Sequence, residues 1–258
     1  MAHMFIFGLG YTARRLADAL KAGGWTVDAT GSAGNLDFGD GDAVRAVLGR
    51  ASHVLSSVPP ADGGDPVLNA YGKALAGKWL GYLSSTGVYG DAGGAWVDEA
   101  TPIGGGRRSV RATCDARWLE ADARVFRLPG IYGPGRSAFE RVRSGKAHRI
   151  DLPGQVFSRV HVDDIVSGVL AALESDAAPG AYNIADDLPT SQNAVIEEAC
   201  RLLGLDPPPL MSLEEANLSP MARGFYAENR RVANGKAKRL LRWEPVYANY
   251  RAGLRALV

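Results

Sequence analysis

Gly8, Gly10 and Ala13 follow the spacing G-x-G-x-x-A, a set of residue types suited to holding a pyrophosphate. Gly8 permits a sharp turn, and Gly10 has no Cβ to block a phosphate. Ala13 lets the following helix pack close to the preceding strand, so free N–H groups and the helix dipole point at the phosphates. A glycine turn can also serve packing alone, and context separates the two readings. Here Met4-Phe5-Ile6-Phe7 is an apolar run that breaks at Gly8, and residues 13–20 carry helical apolar spacing. Strand, tight turn and helix in that order predict a dinucleotide site.

The elements that must position this turn alternate along the chain. Residues 25–30 read as a second strand after the Gly23-Gly24 stop, and residues 35–38 as a very short third. Asp42 is expected to cap a helix through Leu48, and residues 52–57 form a fourth strand ending at Pro59-Pro60. A helix over 66–75 and strands at 79–83, 123–128 and 181–184 follow. Asp163 or Asp164 is expected to cap a helix through Leu173. Ser191 starts another, with Val195, Ala199, Leu202 and Leu203 on its apolar face. Pro207-Pro208-Pro209 is a stiff connector, residues 247–257 read as helix, and the glycines at 63–64, 93–94 and 104–106 mark loops. This alternation predicts a parallel sheet covered on both faces.

Composition narrows the function classes. With 258 residues, 46% hydrophobic, 22% charged and a net charge of +1, the chain suits one large α/β domain or a domain with a small lobe. The charge balance points away from nucleic acid and anionic membranes. The pairs Arg14/Arg15, Arg107/Arg108 and Arg230/Arg231 read as solvated faces or phosphate contacts. Cys114 and Cys200 fit a reducing, cytoplasmic setting and have no metal-ligand spacing. No apolar run nears the roughly 18 residues of a membrane span. Met1-Ala2-His3 reads as a leader added in cloning, with Met4 the natural start.

Further motifs lie downstream. They are Leu83-Ser84-Ser85-Thr86-Gly87-Val88-Tyr89-Gly90-Asp91, Asp98-Glu99, Pro102, and Arg127-Leu128-Pro129-Gly130-Ile131-Tyr132-Gly133-Pro134-Gly135-Arg136. Arg159-Val160-His161-Val162-Asp163-Asp164-Ile165, Tyr182-Asn183-Ile184-Ala185-Asp186 and Leu241-Arg242-Trp243-Glu244-Pro245 complete the series. Taken in order, from Met4 to near the end, the chain resembles the NAD(P)-dependent epimerase/dehydratase branch of the short-chain dehydrogenase/reductases, and within it the small atypical YeeZ-like group.

The resemblance implies that Ser85 hydrogen-bonds the substrate oxygen. Its position at a strand's carboxyl end suits that role, and the alternative is that Ser84, Ser85 and Thr86 only satisfy backbone groups there. The family's acid/base is a Tyr with a Lys four residues later, the Lys lowering the phenol's pKa. Aligned on Glu120, those positions hold Ala112 and Ala116, and no Tyr is followed by Lys at that spacing. Arg111 and Arg117 stay protonated and cannot act as bases. Tyr89 and Tyr132 are the remaining phenols near the expected pocket, each in a motif that is usually structural.

The resemblance places Gly31, followed by Ser32, where an NAD enzyme has an acid for the ribose 2′-OH; Asp28 falls inside the strand. A 2′-phosphate is then tolerated, with Arg14 or Ser32 as contacts, which tilts the expectation to NADP over NAD. Asp37-Phe38 matches the adenine-contacting pair, against the plain reading of a strand-end acid and a core aromatic. Ser56, Ser57, Val58, Pro59 and Ser84, with Leu128, Pro129, Gly130 and Ile131, should border ribose and nicotinamide, and Tyr11 belongs to the phosphate turn. Thr86, Tyr132, Arg136 and Arg159 face the expected substrate, while His161 reads as a structural histidine under a helix start. No metal site emerges.

The expected fold is a Rossmann-type doubly wound parallel sheet over 4–190, with 135–150 lent to a substrate lobe. Residues 191–258 form a small, mostly helical covering region. Two functions follow: an NAD(P)-dependent oxidoreductase, epimerase or dehydratase acting on a sugar-nucleotide-like or other polar small molecule, or a non-catalytic NAD(P) sensor.

Overall fold

The computed structural model describes residues 2–105 and 109–258. Met1, Gly106 and the Arg107/Arg108 pair lie outside the described residues, and with them the readings made of that pair. The chain opens with β1 (His3–Phe7), whose side chains alternate between two cores. Met4 and Ile6 enter one and Phe5 and Phe7 the other, all fully buried. A strand covered on both faces therefore reads as one apolar run.

Next come α1 (Tyr11–Ala22), β2 (Thr26–Ala29), α2 (Gly41–Arg50), β3 (His53–Ser56) and α3 (Pro66–Tyr71). A 3-10 turn, Gly72–Leu75, then leads to β4 (Trp79–Ser85), which ends in another such turn, Thr86–Tyr89. The middle of the chain holds β5 (Trp96–Val97), α4 (Ser109–Glu120), β6 (Arg124–Leu128), β7 (Gly130–Tyr132), α5 (Ala138–Arg143), β8 (Arg149–Ile150) and β9 (Arg159–His161). The last part holds α6 (Val162–Glu174), β10 (Gly180–Asn183), α7 (Gln192–Leu203), β11 (Leu210–Met211), α8 (Pro220–Tyr226), β12 (Arg231–Val232), α9 (Gly235–Leu241) and α10 (Tyr250–Arg255).

Six parallel strands form the main sheet in the order β10-β6-β4-β3-β1-β2. Leu16 and Leu20 of α1, Ile165 and Val169 of α6, and Ala237 and Leu241 of α9 cover one face. Val44 and Leu48 of α2, Tyr71 of α3 and Trp118 of α4 cover the other. This is a Rossmann-type α/β fold. A separate cluster, Phe139 of α5 with Val195, Ile196 and Ala199 of α7 and Tyr250 and Leu254 of α10, forms a small helical lobe at one edge.

Four local expectations are corrected. The third strand at 35–38 is reduced to a single parallel bridge, Thr30 to Leu36. The Asn35 side chain accepts from the Ala29 N–H at 2.9 Å, occupying a group that a neighbouring strand would use. Asp40, not Asp42, caps α2, its carboxylate accepting from Ala43 N–H. His161 caps α6 through Nδ1, whereas Asp164 is buried and accepts from the Val246 and Tyr247 N–H groups at 2.7 and 3.2 Å. The helix expected over 247–257 is confined to α10, which Asn249 caps.

Candidate active site at the carboxyl edge of the sheet

Strand order reverses beside β1, which lies between β2 and β3. In an open parallel sheet the crevice at such a switch point is where ligands bind. A cleft of about 840 Å³ opens there and runs to the helical lobe.

The glycine turn forms its first wall. Gly8 has φ +83°, a conformation that a side chain would strain. Its N–H donates to Thr30 Oγ1, and its carbonyl accepts from the Ser57 hydroxyl, which ties the turn to the ends of β2 and β3. Gly10 is the N-cap of α1 and has no side-chain capping bond. A Cβ built on Gly10 would meet nothing within 4 Å, so the space before the helix is open. The first-turn N–H groups of α1 therefore face the cleft without a capping side chain, as an anionic diphosphate requires. These residues fit a dinucleotide.

The second wall comes from the register of the central strands. β4 and β6 pair Ser84 with Arg127 and Ser85 with Leu128, which brings the serines beside residues 128–131 at the cleft. Ser85 Oγ accepts from Gly87 N–H at 3.1 Å and has no acceptor for its own hydrogen among the described residues. Ser84 is turned away into a buried network that sequence reasoning missed. Its hydroxyl donates to Asp115 Oδ2 at 2.6 Å, and Arg127 donates to both oxygens of Asp115 at 2.7 and 3.2 Å. Arg127 also donates to the Tyr89 hydroxyl, which donates to Asn183 Oδ1 at 2.7 Å. This network bolts α4 to the centre of the sheet. Ala112 and Ala116 lie on that helix. Ala112 packs among Val88 and Tyr89, while Arg111 beside it lines the cleft. Arg117 points elsewhere, donating to Asn69.

At the back of the cleft are Tyr132 and Arg159. The Tyr132 hydroxyl is buried with no hydrogen-bond partner, and burial raises its pKa. Arg159 is 7% exposed, and its guanidinium donates to the carbonyls of Phe157 and Thr190, both at 2.9 Å. Much of its donor fork is therefore spent on the chain itself. Behind it, burial pushes Asp186 up to about 8, against the opposing pull of Arg159. Asp164 is raised to about 6, also by burial.

An acid raised this way holds its proton in the folded state after the unfolded chain has released it, so stability falls as pH rises through that window. Between about pH 6 and 8 the fall belongs to Asp186, and Asp186→Asn should remove it. Melting temperature against pH checks this: the wild type should lose several degrees across the interval while the variant stays level.

The remaining walls come from the helical lobe: Arg136, Arg141 of α5, His148 and Tyr226 of α8. The Tyr226 hydroxyl and His148 Nε2 lie 3.4 Å apart. Burial and the positive charge of Arg141 lower the His148 pKa. The Arg136 guanidinium lies 5.7 Å from the centre of the Tyr11 ring, and Tyr11 donates to the Pro134 carbonyl. Arg141, His148 and Tyr226 gave no local signal, because α5, the loop before β8 and α8 meet at the cleft only in the folded chain.

Of the sequence-based site residues, Gly10, Tyr11, Ala13, Ser57, Pro59, Ser84, Ser85 and Thr86 line the cleft, as do Pro129, Gly130, Ile131, Tyr132, Arg136 and Arg159. Gly8 and Val58 lie in contact just beneath the turn. Arg14 and Ser32 are exposed, and Ser56 is fully buried. Asp37 is exposed and accepts from Gly39 N–H. Phe38 packs on Phe7 and Tyr71. Among the described residues no group of three metal-ligating side chains occurs.

No family model matches the chain. A 3-diazoavenalumate denitrifying reductase from a Streptomyces is 31% identical over 174 residues, 62% of this chain and 55% of that protein. The chain thus spans about half the length of that relative. Protein YeeZ of Escherichia coli is 28% identical over 276 residues, covering 91% of this chain and 94% of YeeZ. A solved structure from Silicibacter pomeroyi, described as a functionally unknown conserved protein, is 42% identical with TM-score 0.88, covering 100% of this chain and 98% of that one. The dTDP-glucose 4,6-dehydratase of Bacillus anthracis in complex with NAD superposes with TM-score 0.76 at 16% identity (100% and 95% covered). A human epimerase family protein with NADPH does so with TM-score 0.77 at 16% identity (99% and 98% covered). Those last two likenesses speak for the fold. With the full-length likeness to YeeZ, they bear out the resemblance to the NAD(P)-dependent epimerase/dehydratase family and its YeeZ-like branch.

Proposed function

We propose that this chain is an NAD(P)-dependent oxidoreductase of the epimerase/dehydratase type that acts on a small polar molecule. The observation that carries the reading is the uncapped start of α1 at Gly10, open into the cleft at the point where strand order reverses. Structural neighbours bound to NAD and NADPH support a nicotinamide cofactor. Such a group, when bound, supplies or accepts a hydride. The chain's own residues would hold the diphosphate at Gly10 and α1 and border the ring with residues 129–131. Ser85 would orient the reacting oxygen. The Streptomyces relative is by name a reductase, in line with hydride chemistry.

NADP is the preferred form in this reading. Asp28, the carboxylate of β2, accepts from the Asn35 side chain at 2.6 Å, so it is committed away from the ribose. Ser32 and Arg14 are exposed beside the turn and present no negative charge to a 2′-phosphate. Ser32→Asp should therefore weaken NADPH binding by about tenfold or more through charge repulsion, with NADH affected far less. Titrating both nucleotides into both proteins checks it.

Catalysis is tested by following nicotinamide absorbance with a panel of carbonyl compounds. Turnover that Ser85→Ala reduces by about 100-fold supports the enzyme. Tight nucleotide binding without any turnover would instead favour the non-catalytic sensor.

A further inference from the structure

We infer that Arg111 and Ser85 form an oxyanion-binding pair that stands in the place of the missing Tyr–Lys pair. Its ligand would be a small molecule carrying a carboxylate, or an oxygen that gains negative charge. The inference rests on the cleft being the catalytic site proposed above.

Arg111 sits in the first turn of α4, next to Ala112, and is among the residues that line the cleft, as are Ser85, Thr86 and Gly87. It is half-buried, and no hydrogen bond or ion pair engages it among the described residues. Its helix is anchored one turn later, where Asp115 is consumed by Arg127 and Ser84. That anchoring fixes the position of the helix start and leaves no free carboxylate within the two turns that follow Arg111 to neutralise it; Glu120 is at the far end of the helix. The one acid among the described lining residues, Glu228, is paired with Arg230 at 2.8 Å.

Ser85 supplies the second donor. Its oxygen already accepts from Gly87 N–H, so the hydroxyl hydrogen is left for a ligand. Two donors, one of them permanently charged, suit an oxyanion and cannot shuttle a proton. With Ala112 and Ala116 inert, this arrangement stabilises charge on oxygen by electrostatics and leaves protonation to water.

The test uses benzoate as probe and benzamide as its neutral counterpart, titrated calorimetrically into the full chain with and without saturating NADP. Cofactor affinity is measured first, by displacement of NADPH fluorescence. Failure of the wild type to bind either nucleotide would bring down the cofactor reading, and benzoate titrated into the free protein then tests the pair alone. The expected result is benzoate binding at least about tenfold tighter than benzamide, a difference lost in Arg111→Gln and partly restored in Arg111→Lys. Arg117→Gln, on the same helix but outside the cleft, should leave benzoate affinity intact. Equal benzoate affinity in Arg111→Gln and wild type, or no preference for benzoate over benzamide, would overturn the proposal.

Discussion

Gly10→Val should leave the protein folded and abolish nucleotide binding. Gly10 has φ −84° and ψ −166°, an extended conformation open to any residue. The added side chain meets no protein atom within 4 Å at its Cβ. Replacing a glycine N-cap by valine should cost less than about 1 kcal/mol. The same side chain would fill the space where α1 presents its uncapped N–H groups, so NADPH affinity should fall by about 100-fold or more. Thermal unfolding and fluorescence titration of the one variant separate the two effects. A variant that melts like the wild type and still binds NADPH would show that the open space at Gly10 is not the phosphate site.

The largest stability effect is expected at Asp115. Its side chain is fully buried against Arg127, which is 3% exposed, and it takes three donors from Ser84 and Arg127. Asp115→Ala would leave a buried guanidinium without its counter-ion and a buried hydroxyl without an acceptor. Breaking such a pair costs about 3–5 kcal/mol, a large fraction of the stability of an ordinary domain. Replacing both partners with apolar residues, Asp115→Leu with Arg127→Met, should recover most of that loss, because no charge then remains buried. Urea unfolding of the three proteins checks the pattern. A loss below about 1 kcal/mol in the single variant would mean that water reaches Arg127.

How much of this was legible depends on range along the chain. The turn at Gly8 and Gly10 is local: strand, turn and helix follow one another, and each element declares itself by its own pattern. The parallel sheet was legible for the same reason, since buried strands read as short apolar runs between helices. The third strand misled because Leu36 and Phe38 are apolar, while the Asn35 side chain displaces the backbone pairing that a strand needs. The caps misled because several acids compete within a few residues; Asp40 wins over Asp42, and His161 over Asp163.

Arg127 was visible as part of a motif, but its partner was not. Asp115 reaches it only because β4 and β6 pair Ser84 with Arg127 and α4 lies across them. The same limit hid Arg141, His148 and Tyr226, which three separate segments bring to one wall. Arg111 was legible as a residue that cannot act as a base, and its place in the cleft depended on the orientation of α4.

The central claim is that the cleft at the end of β1 is a nicotinamide dinucleotide site. Titration of the purified chain with NADPH, followed by nicotinamide fluorescence, tests it most directly. Saturable binding at micromolar concentration, weaker for NADH, is the result the account predicts. Absence of saturation by either nucleotide at millimolar concentration would contradict it and leave Gly8 and Gly10 with a packing role alone.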